Sequence, residues 1–435
     1  MVEKKAKKAA SGNDAMMNMV RAAIMKHTGQ KALLPGLTSH PCVSTGSFPV
    51  DMLIGGTPTK DGKGLICPGF PRRRITELFG GESSGKTTLL ISAMVQAQKA
   101  GGTAMFIDFE HSLDHHYAEK LGLSYNPGKL TVIQPETMEQ GFTMMRLGIL
   151  GGIDIIGVDS VAAMVPKDEL EKGFEDAAKI GAVARQFSGS LPKFAMWLQK
   201  YPLMAADKTK SDPNRLGTAL VLINQTRALI STGGGHHGGG DDNTSGGKAI
   251  KFYAYLRLRT TRIKSEIVER KDPMTGKTRR FPFGNVTDVK VVKSKIDSKQ
   301  GHSTSMFIRY GSGIDDYFSI IETGVAQKVI KREGAFYTVG SQRFQGKDKF
   351  RKFLIENPTV FEALRQKLAL AVNAAAMDAG DDPTEEDDLL EGLDLDGSDG
   401  TEGGADDSAE EELVADTEAA PEAAPVAAGT TDVEA

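Results

Sequence analysis

The stretch FGGESSGKTTLL at residues 79–90 constrains the fold of this chain most. Its Gly80, Gly85, Lys86 and Thr87 satisfy the pattern G-x-x-x-x-G-K-[ST], which is typical of a phosphate-binding loop. Glycines have no Cβ, so backbone N–H groups can surround a phosphate, and a following helix N-terminus adds partial positive charge. The stretch therefore predicts a nucleotide site. The residues expected to form it are Gly80, Gly81, Glu82, Ser83, Ser84, Gly85, Lys86, Thr87 and Thr88.

The segments on both sides of the loop support this interpretation. ITELF, at residues 75–79, is a short apolar run typical of a buried strand, and residues 87–98 have the apolar spacing of a helix. In such a strand–loop–helix unit, Lys86 reaches the β- and γ-phosphates and the Thr87 hydroxyl helps to hold Mg²⁺. The expected ligand is a nucleoside triphosphate with Mg²⁺.

Further apolar runs alternate with helical stretches after the loop. Continuous runs of this kind suit a parallel sheet that is covered on both faces. They are TAMFIDF at 103–109, IIGVDS at 155–160 and ALVLINQ at 219–225. Residues 252–263 and 286–296 alternate more, which predicts antiparallel strands, and residues 270–285 between them predict a turn-rich hairpin connection. The predicted fold class is α/β with a mainly parallel sheet.

Polar residues follow these strands at the edge where ligands bind in open α/β sheets. Glu110 follows the second strand, where its carboxylate can orient and deprotonate a water that attacks the bound triphosphate; a salt-bridged surface glutamate is the alternative. Asp159 is the expected second Mg²⁺ contact, directly or through water, and Asp108 and Asp114 are competing carboxylates. Gln225 ends another strand, where its amide can contact the γ-phosphate.

Cysteine content and the lack of long apolar runs indicate the cellular compartment of the protein. The chain has two cysteines, a charged N-terminus without the apolar segment of a signal peptide, and no apolar run long enough to span a membrane. We therefore expect a cytoplasmic protein with no membrane partner and no disulfide framework.

Charge is unevenly distributed along the chain. Residues 381–435 contain 21 acidic residues and no lysine or arginine. Of the 57 acidic residues in the chain, 36 therefore remain in residues 1–380, beside all 53 basic residues, which gives that part a charge of about +17. A basic body with an acidic tail is typical of proteins that handle nucleic acid; a merely solubilising tail is the alternative. The tail composition predicts disorder.

Two other segments are distinctive. Residues 14–28 predict an N-terminal helix with one apolar face, which is buried either on a neighbouring subunit or on its own domain. The glycine-rich residues 226–247 predict a segment that is mobile until something binds it. Adjacent histidine pairs, at 115–116 and 236–237, lack the spaced partners of a metal site.

The order and spacing of six motifs resemble the RecA recombinase family over residues 44–372. These motifs are GGESSGKTTLL, FIDFEHSLDHHYAEKLGL, IIGVDSVAAMVPKDELE, LINQTR, GGKAIKFYAYLRLR and VVKSKI. Residues 310–337 are similar to the C-terminal domain of the family, in which an acidic tail is also typical. The resemblance implies an ATP-dependent filament on single-stranded DNA that performs homologous pairing and strand exchange in DNA repair.

The resemblance also implies roles for individual residues in binding ATP. Glu110 corresponds to the catalytic glutamate, Asp114 and Tyr117 to residues that contact adenine, and Gln225 to the γ-phosphate sensor. Lys293 and Lys295 correspond to lysines that reach ATP across a subunit interface, where they add positive charge only after assembly. Phe252 corresponds to an interface aromatic residue.

For DNA, the resemblance assigns binding loops to residues 166–181 and 226–246. The expected DNA-binding residues are Arg185, Arg227, Gly233, Gly234, Gly246, Gly247 and Lys248. Three features depart from the family. Gly81 replaces a proline, residues 198–217 form a longer link, and the second loop offers Leu229 and Ile230 instead of aromatic or methionine wedges. These departures favour a bacteriophage-encoded relative.

Four parts are expected: an N-terminal oligomerisation helix and linker at 1–43, a RecA-like ATPase core at 44–315, a small α/β DNA-binding domain at 316–380, and an acidic tail at 381–435. Expected partners are single- and double-stranded DNA, further copies of the chain, and single-strand-binding and mediator proteins. A ring-shaped helicase or accessory ATPase of the same core, and an ATP-gated DNA scaffold without catalysis, are the alternative functions.

Overall fold

The computed structural model describes residues 39–59, 64–171, 181–200, 216–226, 244–271, 277–297 and 299–377, and seven helical positions between 16 and 26. All of these residues belong to one unit, Met1–Leu395. The helices are α1 (Phe48–Gly55), α2 (Lys86–Lys99), α3 (His115–Lys120), α4 (Met138–Gly151), α5 (Lys167–Leu170), α6 (Ala182–Lys200), α7 (Gly247–Tyr253), α8 (Asp316–Ala326), α9 (Lys347–Glu356) and α10 (Pro358–Met377).

A mainly parallel sheet organises the larger part of the described chain. The strands are β1 (Cys42–Val43), β2 (Phe70–Pro71), β3 (Arg74–Gly80), β4 (Ala104–Asp108), β5 (Leu130–Ile133), β6 (Ile155–Asp159), β7 (Ala219–Gln225), β8 (Leu256–Lys271), β9 (Thr278–Ser294), β10 (Ser303–Arg309), β11 (Gly313–Ile314), β12 (Lys331–Glu333), β13 (Phe336–Val339) and β14 (Gln342–Gln345). Nine of them form one sheet in the order β11-β10-β9-β8-β3-β7-β6-β4-β5. The strands from β8 to β5 in that order are parallel, and β9 to β11 add antiparallel partners.

Helices cover both faces of the sheet, as the continuous apolar strands predict. One core cluster joins α2 to the sheet, and a second lies under α4 and α6. The approach of α2 to β6 is close: a Cβ at Gly157 would lie 2.5 Å from Leu90 and 2.7 Å from Met94. Glycine at this position therefore lets the helix after the phosphate loop pack directly on the strand that carries Asp159.

The C-terminal part forms a smaller α/β unit on its own core. Helices α8, α9 and α10 pack with the antiparallel sheet β12-β13-β14. This unit is joined to α1, because the Phe48 backbone N–H donates to Asp316 at 2.8 Å and the Arg365 guanidinium lies 4.6 Å from the Phe48 ring. The predicted acidic tail lies outside the described residues.

Most predicted elements are confirmed, with three corrections. Phe252 is not in a strand, because residues 247–253 form α7 before β8 begins. The connection predicted over 270–285 is wrong in length, because β8 and β9 pair as far as Lys271 and Thr278. The antiparallel prediction for residues 252–263 is wrong in part, because β8 pairs parallel with β3 over Leu256–Thr260 and antiparallel only with β9. Helix α1 and the edge strand β5 had no assignment from the sequence.

The N-terminal segment has helical backbone at its described positions. Its apolar residues Met16, Met19, Val20 and Met25 are exposed in the single chain. None of the described helices is both long and apolar enough to cross a membrane.

Candidate nucleotide-binding site

The phosphate loop runs from the end of β3 to the start of α2. Gly80 is the last residue of β3, and a Cβ there would lie 2.1 Å from the Thr260 carbonyl oxygen. Gly85 begins the helix with φ of 85°, in the left-handed region that favours glycine. By contrast, a Cβ at Gly81 would meet nothing within 4 Å. The crowded surroundings of Gly80 and the left-handed backbone of Gly85 thus explain why both positions are glycine. Gly81, where the family has a proline, has open space around it.

Neighbouring side chains hold the loop in shape. The Ser84 hydroxyl is buried, donates to the Gly81 carbonyl oxygen at 2.7 Å, and lies 2.7 Å from the Thr260 hydroxyl of β8. Glu82 and Ser83 are exposed on the outer side of the loop, and Ser83 has a φ of 54°. The loop is therefore braced by the central strands before any ligand binds.

Lys86 is a buried cation inside this loop. Its ammonium donates to the carbonyl oxygens of Gly81 at 2.6 Å and Gly80 at 3.2 Å. Burial lowers its pKa, while Asp159 and Glu110 oppose that shift. It forms no salt bridge with any residue that the structure describes. Since a buried charge is costly without a counter-charge, this position suits an anionic group such as phosphate.

Thr87 and Asp159 form the adjacent polar pair. The Thr87 hydroxyl donates to Asp159 at 2.6 Å, and Asp159 ends β6 in register with Asp108 of β4. Burial raises the pKa of Asp159 to about 6. Hydroxyl and carboxylate oxygens are ligands that Mg²⁺ accepts when phosphate and water complete its shell. Among the described residues, no group of three or more His, Cys, Asp or Glu could hold a metal by itself.

Glu110 receives hydrogen bonds from the ends of two further strands. Its Oε1 accepts from the Gln225 amide at 2.8 Å and from the Ser160 hydroxyl. Its backbone N–H donates to the Asp159 carbonyl oxygen at 3.3 Å. The structure therefore brings Glu110, Asp159 and Gln225 together. Ser160 was missed, although its place directly after Asp159 in IIGVDS was a usable signal.

The two competing carboxylates are held by the chain itself. Asp108 accepts from the backbone N–H groups of Ser112 and Leu113, each at 3.3 Å, and from the Gln134 amide at 3.2 Å. Asp114 caps α3 by accepting from the Tyr117 N–H at 2.9 Å. Both carboxylates thus organise the loop between β4 and α3.

The predicted adenine contacts lie beside the helix of the phosphate loop. The Tyr117 hydroxyl is 3.3 Å from the Thr88 hydroxyl of α2, and Asp114 begins the helix that carries Tyr117. Both groups are therefore close to the expected nucleotide, on the side where α2 starts.

Lys293, Lys295 and Phe252 lie together, away from the phosphate loop of their own chain. The Lys293 ammonium donates to the carbonyl oxygens of Lys251 at 2.6 Å and Phe252 at 3.0 Å, at the end of α7. Burial lowers its pKa, with a further contribution from Lys295. Lys295 is exposed, and the Phe252 side chain is 70% exposed. A large exposed aromatic residue is typical of a contact surface.

A buried polar network connects these sites, and sequence reasoning missed it. Glu77 of β3 accepts from Arg257 of β8 at 2.5 Å and from the Asn224 amide at 2.9 Å. Asn224 also donates to the Ser245 carbonyl oxygen at 2.9 Å and precedes Gln225. Glu77 is fully buried. A glutamate inside the apolar run ITELF was the signal that could have revealed this network.

The predicted DNA-binding residues are described only in part. Arg227, Gly233 and Gly234 lie outside the described residues, as do Leu229 and Ile230 and most of the segments 166–181 and 198–217. Gly246 and Gly247 have φ of 85° and 71° and, with Lys248, begin α7. A Cβ at Gly247 would lie 2.8 Å from Ala184, the neighbour of Arg185 on α6. The ends of the two predicted DNA loops therefore meet at this packed junction.

The sequence is similar to known proteins over most of its length. A family described as the RecA N-terminal domain matches residues 18–315, and one described as the RecA C-terminal domain matches residues 318–373. A relative named Protein RecA from Nocardia farcinica (strain IFM 10152) is 37% identical over 386 residues, which covers 86% of this chain and 99% of the relative.

Two further relatives carry the same name. Protein RecA from Corynebacterium glutamicum (strain R) is 37% identical over 412 residues, covering 92% of this chain and 97% of the relative. Protein RecA from Corynebacterium diphtheriae is 38% identical over 364 residues, covering 82% and 86%. The match therefore includes both the sheet that carries the phosphate loop and the smaller C-terminal unit.

Proposed function

The chain belongs to the RecA family, and from this premise we propose which of its residues bind and hydrolyse ATP. The protein is a DNA-dependent ATPase recombinase that forms filaments on single-stranded DNA and catalyses homologous pairing and strand exchange in repair. The observation that carries the residue assignment is the meeting of Glu110, Asp159 and Gln225 beside the phosphate loop.

Lys86 and the loop backbone bind the phosphates of ATP. The Lys86 ammonium exchanges its bonds to the Gly80 and Gly81 carbonyl oxygens for phosphate oxygens, which supply the counter-charge that it lacks. Asp114 and Tyr117 contact the adenine side. Thr87 and Asp159 would hold Mg²⁺, which would neutralise charge that develops on the phosphates.

Glu110 acts as the general base. A carboxylate oxygen of Glu110 takes the proton of the water that attacks the γ-phosphate, and its bonds from Ser160 and Gln225 fix the orientation of that carboxylate. The γ-phosphate offers the Gln225 amide a second acceptor. Since Gln225 is followed directly by the glycine-rich segment, this exchange connects the state of ATP to the DNA loop.

Assembly completes the site. Lys293 donates to the end of its own α7 and not to the phosphate loop of the same chain, so we assign it, with Lys295, to ATP on the adjacent subunit. Phe252 and the exposed apolar residues of the N-terminal helix form contacts between subunits. Two added cations at the γ-phosphate stabilise the transition state only in a filament, which makes hydrolysis depend on DNA.

Arg185, Lys248 and the glycines at the start of α7 contribute the DNA surface. Electron microscopy of the full chain with single-stranded DNA and a non-hydrolysable ATP analogue tests the assembly. Helical filaments that require both ligands are the expected result. Closed rings would instead support the helicase-like alternative, and absence of any ordered particle would contradict the proposal.

A further inference from the structure

Strands β8 and β9 continue beyond the sheet as a two-stranded ribbon. β8 pairs with β3 only over Leu256–Thr260, and β9 pairs with β10 only as far as Gly284. From the rung between Ile267 and Pro282 to the rung between Lys271 and Thr278, the two strands pair only with each other. At about 3.3 Å per residue, this paired segment extends roughly 13 Å from the sheet. We call residues 267–271 and 277–282 the projecting ribbon.

The base of the projecting ribbon is anchored. Glu266 accepts from Lys347 of α9 at 3.1 Å, and Lys347 also pairs with Glu322 of α8. The Lys347 ammonium lies 4.9 Å from the Phe318 ring. A cleft of about 310 Å³ remains between the ribbon base and β12, lined in part by Lys264 and Arg332. The ribbon therefore has a defined direction beside the C-terminal unit.

The projecting ribbon is strongly cationic. Lys271, Lys277, Arg279 and Arg280 are exposed, and Glu269 is the acidic residue among its described side chains, 3.4 Å from Arg280. Ile267 and Phe281 are 46% and 43% exposed nearer the base. An isolated two-stranded ribbon is marginally stable in water. With four exposed cations and one exposed carboxylate among its described side chains, the ribbon is suited to a large anionic partner.

We propose that the projecting ribbon binds the phosphate backbone of double-stranded DNA, as a contact additional to the two DNA loops and the C-terminal unit. The inference rests on the proposed function, because that function brings duplex DNA to the protein. A two-stranded ribbon matches the width of the major groove of B-DNA, about 12 Å. The adjacent residues Arg279 and Arg280 point to opposite faces of the ribbon, so its cations can contact phosphates along both sides of the groove.

The test replaces three cationic residues of the projecting ribbon by glutamine. This variant is compared with a control in which three cationic residues elsewhere are replaced in the same way. The variant Lys271→Gln, Lys277→Gln, Arg280→Gln is matched by Lys99→Gln, Lys120→Gln, Lys129→Gln, which are exposed near the opposite edge of the sheet. Binding of a labelled duplex of about 40 base pairs to the full chain is measured against NaCl concentration with an ATP analogue. Each lost phosphate contact reduces the salt slope by about 0.9, so we expect the ribbon variant to lose roughly 2 to 3 in slope and at least about tenfold in affinity. The control should keep both values.

Two further readouts separate this proposal from the proposed function. The ribbon variant should keep ATPase activity stimulated by single-stranded DNA. If wild type lacks that activity, the proposed function fails, whatever the ribbon does. If wild type has it and the ribbon and control variants show equal duplex affinity and equal salt slope, the ribbon proposal is wrong. Loss of filament assembly in the ribbon variant would assign the ribbon to contacts between copies of the chain, which also overturns the proposal.

Discussion

Replacing Asp51 by asparagine should change how the stability of the protein depends on pH. Asp51 is buried in α1, where it accepts from the Ser44 hydroxyl at 2.5 Å and from the Thr45 N–H and hydroxyl at 2.8 and 2.7 Å. Burial raises its pKa to about 7, although these hydrogen bonds oppose the shift. The amide of the Asp51→Asn variant keeps one acceptor for Thr45 and can donate to Ser44.

The direction and size of this pH dependence follow from the difference between the folded and unfolded pKa values of Asp51. Because the folded pKa lies above the unfolded value of 3.8, the folded protein binds more protons between about pH 4 and pH 7, and its stability falls as pH rises through that range. Full ionisation of Asp51 in the folded protein, with its pKa of about 7, costs roughly 4 kcal/mol relative to the unfolded chain. Between pH 5 and pH 8 the loss is about 2 to 3 kcal/mol.

The assay is denaturant unfolding of wild type and Asp51→Asn at pH 5, 6, 7 and 8. Burial also raises the pKa of Asp159 and of Asp316 to about 6, so wild type should lose stability with pH through all three groups. The difference between the two proteins isolates Asp51. This difference in the free energy of unfolding should shift in favour of the variant by about 2 to 3 kcal/mol between pH 5 and pH 8.

Asp348→Asn, at an exposed position of α9, is the matched control and should run parallel to wild type. A stability difference between wild type and Asp51→Asn that stays constant from pH 5 to pH 8 would show that the Asp51 carboxylate is already ionised in the folded protein at pH 5. That result would refute the reasoning from burial.

Three further substitutions test the site. Lys86→Ala should weaken ATP binding roughly ten- to a hundredfold, because it removes a charge-assisted contact to phosphate; calorimetric titration measures it, and unchanged affinity would exclude the assignment. Lys293→Ala should lower DNA-stimulated turnover on the order of 10²-fold while leaving ATP binding intact, and wild-type turnover would contradict a role across the interface. Glu77→Gln should lower the free energy of unfolding by about 3 to 5 kcal/mol, since Arg257 stays buried without a counter-charge. Denaturant unfolding measures this loss. The control Asp154→Asn, in the less buried pair with Arg72, should lose less.

Local patterns predicted the centre of the fold well. Residues 75–79 are apolar apart from Thr76 and Glu77, and residues 219–225 are apolar apart from the polar end of the run. Both form central strands, because such runs can be buried on two faces. The phosphate loop was equally predictable, since its glycines, lysine and threonine have fixed spacing. Glu110, Asp159 and Gln225 were expected near one another because parallel strands end at one edge of the sheet, and the structure brings them together.

What escaped prediction depends on contacts between distant residues. Glu77 and Arg257 are 180 residues apart in sequence, and only Glu77 contradicts the pattern of its own strand. The ribbon was predicted as a turn because residues 270–285 contain proline, glycine and many charges, whereas pairing between β8 and β9 extends the strands to Lys271 and Thr278. The place of Ser160 after Asp159 was a usable signal, but its partner Glu110 lies 50 residues away in sequence.

Steady-state ATP hydrolysis by wild type and Glu110→Gln, with and without single-stranded DNA, tests the central claim most directly. Wild type should hydrolyse ATP slowly alone and much faster with DNA. Glu110→Gln should bind ATP and assemble on DNA but lose turnover by about 10²- to 10⁴-fold, since the base is removed and the shape is kept. Normal DNA-stimulated hydrolysis by Glu110→Gln would contradict the account, because the group that activates water would then lie elsewhere.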